Sequence, residues 1–238
     1  MHQSAGPEVA AFSTTFYRAA GIASILSAIT TLGLIFLPDF YALQPDGLPG
    51  RMLRVTDPIY QVRAWNYLVH PFLCFAAALG LGMACRRVSP GLALIGVLGM
   101  GLWAITEAGQ QSLTLFAFDD WRRAWLAGDE GVRATMEIRV ALYDGLWDAA
   151  YSLLLIGIII GSSCFCAMLL RFEDLLSRIV GLLFGIAALL SISLLSGEAG
   201  GATLPAGIQY WIYPAFQPLA RVLTGVWLLR VAKAGEPR

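Results

Sequence analysis

Charge is what this chain has least of. Only 13% of its 238 residues are Asp, Glu, Lys or Arg, about half the ~25% of a soluble domain. That excludes an ordinary soluble domain and a disordered chain. The 16 basic residues are balanced by 16 acidic ones, so no basic field exists to attract phosphate, and nucleic acid is excluded as a partner. Lys233 is the only lysine, and His2 and His70 are the only histidines. Too few imidazoles are present to specify a metal site, and none is assigned. The four cysteines, Cys74, Cys85, Cys164 and Cys166, fit neither a disulfide framework nor a zinc spacing and read as small buried residues. Nucleophile catalysis draws no support either, because Cys74 and Cys164 lack polar sequence neighbours and no Gly-x-Ser-x-Gly elbow occurs. A Gly-rich phosphate loop is also absent, and no cofactor is specified.

What is abundant is apolar length. Hydrophobic residues make up 58% of the chain and the mean hydropathy is +0.68. A helix needs about 20 mostly apolar residues to cross the hydrocarbon core. Six stretches qualify: 16–37, 62–85, 91–118, 141–170, 176–196 and 209–231. No run alternates in the manner of a membrane β-strand. The expectation is an all-α polytopic membrane protein, a bundle of six transmembrane helices forming a single domain over 1–238. The first stretch has a polar lead and no small-residue cleavage site after it, so it reads as a retained span.

Basic residues near the ends of short loops set orientation. Arg86 and Arg87, Arg171 and Arg178, and Arg230, Lys233 and Arg238 fall on one side if both termini are cytoplasmic. The opposite loops are longer. One, 38–61, is broken by Pro38, Pro45, Pro49 and Pro58. The other, 119–139, is mixed in sign and reads as helical at both ends with a turn near 128–131. A weak internal repeat relates Arg18-x-x-Gly21 to Arg178-x-x-Gly181, and His70-Pro71 to Gln217-Pro218.

Ionisable groups inside a bilayer cost roughly 2.5–3.5 kcal/mol each on insertion scales, so each one needs a reason. They are His70, Glu107, Asp144, Asp148 and Arg221, with Asn66, Gln110, Gln111 and Gln217 as neutral neighbours. Asn66/His70, Glu107/Gln111, Asp144/Asp148 and Gln217/Arg221 are each four residues apart, so each pair shares a helix face. His70 falls roughly 12 Å below the outer surface at 1.5 Å per residue. The expectation is a polar pocket in the outer half of the bundle, with Trp65 and Trp147 as walls and the breaks at Pro71 and Pro218 beside it. Arg221 is expected to neutralise Glu107 or an Asp of span four.

Three readings compete. A buried network can tie helices together at about 0.6 kcal/mol per pair, as in an accessory or structural subunit. It explains the amides better than the three acids. Intramembrane acids also mark proton- or cation-coupled transport, but the inner halves of spans two to four carry no polar residue to complete a path. The preferred reading is a pocket binding a small amphiphilic or lipid-like molecule. If that pocket also performs acid/base conversion, His70 and Glu107 form the catalytic pair. Asn66, Gln110, Gln111, Asp144, Asp148, Gln217, Arg221, Trp65 and Trp147 then bind the ligand. Membrane lipids and the amphiphile are the expected partners. Homo-oligomerisation and a partner membrane subunit are left open.

The helix-start sequences Tyr17-Arg18-Ala-Ala-Gly21, Gly91-Leu-Ala-Leu and Leu176-Ser-Arg-Ile-Val-Gly181, the buried Glu107, the Trp147-Asp148 pair and the terminal Trp227-Leu-Leu-Arg230 resemble a bacterial membrane family catalogued as domain of unknown function four-three-eight-six. The resemblance covers most of the chain. It implies six helices in a bacterial inner membrane, and it assigns no activity and no role to His70, Asp144 or Arg221.

Overall fold

A computed structural model describes residues 13–198, 200–201 and 205–234, with the side chains of 206–214 outside the description. His2 and Arg238, and the side chains of Tyr210, Trp211 and Tyr213, fall outside it. The described chain is all helical. Its elements are α1 (Thr14–Phe36), α2 (Gly47–Leu53), α3 (Pro58–Cys85), α4 (Pro90–Leu113), α5 (Asp119–Ala127), α6 (Glu130–Leu169), α7 (Leu175–Glu198) and α8 (Ala206–Ala234). Five of these, with their short extensions, are long and apolar enough to span a membrane: α1, α3, α4 with α5, α6 and α7. This is the architecture of a multi-pass membrane protein.

The helix starts follow local chemistry. Ser13 and Ser89 each accept from a backbone N–H of the first turn, at 3.2 and 3.5 Å. Asp57 accepts from Ile59 at 2.8 Å and from Tyr60 at 3.3 Å. Pro58 and Pro90 occupy the first helical positions, where a missing N–H costs nothing. Asp129 caps α6 through Val132 N–H at 2.9 Å. α3 runs unbroken through Pro71.

Two boundaries differ from the sequence expectation. The segment expected to begin at 141 starts eleven residues earlier, at Glu130, and continues as one 40-residue helix. At 1.5 Å per residue it is about 60 Å long, roughly twice the hydrocarbon thickness. Hydropathy marks only the part that lipid surrounds, whereas the Asp129 cap fixes the true start. The stretch ending the 91–118 segment is a π-helical turn over Thr114–Phe118, which passes into α5.

The long helices pack in the order α1, α3, α4, α6, α7, α8, and α8 returns to α1. Small residues allow the closest approaches. A Cβ on Gly157 would lie 2.7 Å from the Trp103 backbone nitrogen, and one on Gly99 would lie 2.6 Å from that of Gly161. The Gly157-x-x-x-Gly161 face is therefore where α6 meets α4. Gly225 and Gly21 bring α8 against α1, since a Cβ on Gly225 would meet the Gly21 carbonyl at 2.8 Å. Gly181 faces Leu169 and Leu170 instead, so the two Arg-x-x-Gly motifs do not pack alike.

Two apolar clusters bound the bundle. One end is plugged by Tyr17, Leu81, Cys85, Phe165, Met168, Leu169, Val180 and Leu228. At the other end α2, α5 and the start of α6 form a cap around Met52, Phe118, Val140 and Tyr143. Phe118 and Tyr143 stack at 4.2 Å. Asp119, fully buried, pairs with Arg122 at 2.9 Å and accepts from Tyr60 and Gln61 at 3.2 and 3.1 Å. Outward faces are apolar, with Ile29, Ile105 and Leu189 each more than half exposed.

Candidate functional site

Between the cap and the plug lies a cavity of about 510 Å³, lined by side chains of α1, α3, α4, α6, α7 and α8. The volume is within the ~300–1,000 Å³ of ligand pockets. His70, Glu107, Gln110, Gln111, Trp147, Gln217 and Arg221 all line it. These residues come from four helices and meet in one space.

The other expected residues do not join them. α6 lines the cavity with Trp147, Tyr151, Leu154, Leu155, Ile158 and Ser162. At 100° per residue Asp144 shares that stripe but lies one turn nearer the cap than Trp147, and Asp148 falls at the stripe's edge. Asp144 turns away to a bidentate pair with Arg51 of α2, one contact of which is 2.8 Å. Asp148 is exposed. Asn66 donates 2.8 Å to the Thr30 carbonyl and joins α3 to α1. Trp65 is half exposed and sits edge-on to Phe116 at 5.9 Å.

Arg221 has a different partner from the one expected. One guanidinium N–H donates to the Cys74 sulfur and another to Gln217 Oε1 at 3.2 Å, while Nε is buried without a partner. Its charge lies 5.8 Å from the Trp103 ring centre. No carboxylate pairs with it among the described residues. Glu107 is 8% exposed and faces the Arg221 charge without an ion pair to it, with the Trp103 indole N–H as its hydrogen-bonding neighbour. Gln110 is committed to structure, donating 2.9 Å to the Trp147 carbonyl.

His70 is 3% exposed. Its Nδ1 lies 2.7 Å from Thr30 Oγ1 and its Nε2 lies 3.5 Å from Cys74 Sγ. Trp103 meets the ring edge-on at 6.1 Å. The sequence reading of Cys74 as a thiol without polar neighbours is thus corrected: its neighbours come from α3 one turn back and from α8. Cys74 is His70 plus four, and Trp103 is Glu107 minus four. The same spacing rule that found the pairs, carried one turn further, identifies both.

The polar groups cluster on the cap side. One turn beyond Cys74 the lining becomes mainly apolar, with Ala77, Ala78 and Leu81 faced by Met100, Leu155 and Ile158 and only the hydroxyls of Ser162 and Thr224 among them. The cavity therefore has a polar lobe and an apolar lobe, with the Cys74 sulfur at their junction. Among the described residues no cluster of three or more metal-ligating side chains occurs.

No family model, curated protein or solved structure matches this chain.

Proposed function

We propose that this chain is a six-span bacterial inner-membrane protein that binds a small amphiphilic molecule in its central cavity. α8, 29 residues long, supplies the sixth span. Arg86, Arg87, Arg171, Arg178, Arg230 and Lys233 gather at the plugged end, which the positive-inside rule assigns to the cytoplasm. Both termini are then cytoplasmic, and the polar lobe lies toward the external face.

The observation that carries the reading is a cavity holding a buried acid and a half-buried cation that do not pair. A network built only to hold helices together would join Glu107 to Arg221, because an unpaired buried charge is costly. Keeping them apart in a space of ligand size leaves both to act on a polar head, while the apolar lobe takes the tail. If conversion also takes place, His70 and Glu107 are the groups placed to move protons.

Tryptophan fluorescence in detergent tests the binding. Trp103 and Trp147 line the cavity, so a terminally brominated fatty alcohol should quench emission saturably. The variant Ala78→Phe, which fills the apolar lobe, should lose the saturable component while keeping its melting temperature. Linear quenching, equal in both proteins, would mean simple partition into the micelle and would end the proposal.

A further inference from the structure

We propose that Cys74 is a nucleophile that accepts an acyl group from an ester-linked amphiphile bound in the cavity, with His70 as its base. The inference rests on the amphiphile-binding reading above.

Four contacts argue for it. The Thr30 hydroxyl donates its hydrogen to the Ser27 carbonyl at 2.9 Å. Its oxygen then accepts from His70 Nδ1–H at 2.7 Å. That fixes the tautomer, so Nε2 carries the free lone pair, and Nε2 is the nitrogen facing Cys74 Sγ at 3.5 Å. An Arg221 N–H donates to the same sulfur. The set is a nucleophile, a base within reach of it, and a third group orienting the base. Position supplies the substrate class. In an acyl ester the carbonyl carbon sits where head meets tail, and Cys74 sits where the polar lobe meets Ala77, Ala78 and Leu81. The unpaired Glu107 carboxylate, on the polar side, faces the head.

Acyl transfer to sulfur needs only the ester, and water completes the cycle. Nε2 takes the Sγ proton as sulfur bonds to the ester carbonyl carbon. The tetrahedral oxyanion develops beside the Arg221 guanidinium, whose charge opposes it. On collapse the carbon–oxygen bond breaks, and the departing oxygen takes the proton from Nε2–H and leaves as an alcohol. Water, deprotonated by the same nitrogen, then adds to the thioester carbonyl carbon. The carbon–sulfur bond breaks, sulfur takes the proton back from Nε2–H, and the acyl group leaves as a carboxylic acid. Thr30 acts through His70 as a positioning residue.

Purified full-length protein in detergent is mixed with 4-nitrophenyl decanoate, and nitrophenolate release and intact mass are followed together. The expected result is a stoichiometric burst and a mass gain of one decanoyl group, mapped to Cys74 by peptide analysis. Cys74→Ala, which keeps Cys85, Cys164 and Cys166, should lose both. His70→Asn should slow the burst by about 100-fold or more, the lower bound of acid/base assistance. Thr30→Val should slow it as well, and Thr30→Ser, which keeps the hydroxyl, should restore it; a merely structural threonine would show no such rescue. Binding of the non-cleavable decyl phenyl ether is measured in parallel by its displacement of the brominated alcohol, read as recovery of tryptophan emission. Ether bound with no acyl group on Cys74 overturns the nucleophile and leaves the binding reading standing. Neither ether binding nor acylation overturns both.

Discussion

Arg51 and Asp144 form a bidentate pair between α2 and α6 that holds the cap onto the bundle. Both side chains are partly exposed, at 35% and 42%, so water screens the attraction and its contribution is at most about 1 kcal/mol. Asp119 and Arg122 are the contrasting case, with side chains 1% and 5% exposed. Removing one member there strands a buried charge, which costs roughly 3–5 kcal/mol. Thermal unfolding in detergent should therefore rank the variants clearly. Asp144→Asn should lower the melting temperature slightly, and less so at high salt, while Asp119→Ala should lower it severely. Equal losses would contradict this division of the cap.

The α4–α6 seam gives a second test. Gly157→Ala pushes a methyl against the Trp103 backbone, where no side chain is available to move aside. Overpacking of this kind costs about 1–3 kcal/mol. Gly109, on the same helix as Trp103, has nothing within 4 Å of an added Cβ. Gly109→Ala should be neutral or stabilise by up to about 1 kcal/mol through the lower chain entropy of alanine. Melting temperatures of the two single variants in one detergent decide the matter, and a destabilised Gly109→Ala would refute the packing argument.

Much of the bundle was legible in the sequence because hydropathy and the helical repeat are local signals. The i,i+4 rule placed Glu107/Gln111 and Gln217/Arg221 on the cavity, together with His70. It failed for Asp144 and Asp148, since spacing shows that two residues share a face and not where the cavity ends along it. Asp144 lies one turn toward the cap from Trp147, and Asp148 sits at the edge of the lining stripe. The partner that settles Asp144 is Arg51, 93 positions away in a proline-broken loop. Cys74 was misjudged for a related reason. Adjacent residues on a helix point apart, so sequence neighbours say little about a thiol whose contacts are His70 at i−4 and Arg221 across the bundle. The start of α6 was hidden because its first turns are polar and lie beyond the lipid.

Acid sensitivity should arise at the helix starts outside the membrane. Burial works against the charge on Asp57, but backbone N–H groups of Ala42, Ile59 and Tyr60 outweigh it and hold the carboxyl below its ordinary value of 3.8. Asp174 is likewise held low: desolvation opposes its charge, and the hydroxyl and N–H of Ser177 prevail. A depressed folded pKa gives stability that is complete above the unfolded value and lost as pH falls through the folded one. Melting temperature should thus be flat from neutral pH to about 5 and drop below about 4. Asp57→Asn should melt lower at neutral pH and show a shallower acid limb. An unchanged acid limb in that variant would remove Asp57 from the account.

Glu107 separates a binding cavity from a structural network by stability alone. Its carboxylate has no ion-pair partner among the described residues, so neutralising it breaks no bridge and removes a desolvated charge. Glu107→Gln should hold or raise the melting temperature. Gln110, whose amide joins α4 to α6 through the Trp147 carbonyl, should behave oppositely, with Gln110→Ala costing about 0.6 kcal/mol or somewhat more. The two variants should also differ in saturable quenching by the brominated alcohol, which Glu107→Gln weakens if the carboxylate meets the ligand head. A Glu107→Gln protein that melts well below wild type would instead mean that the carboxylate braces the bundle. The reason for keeping an acid and a cation apart in the cavity would then have to be sought in folding and not in a ligand.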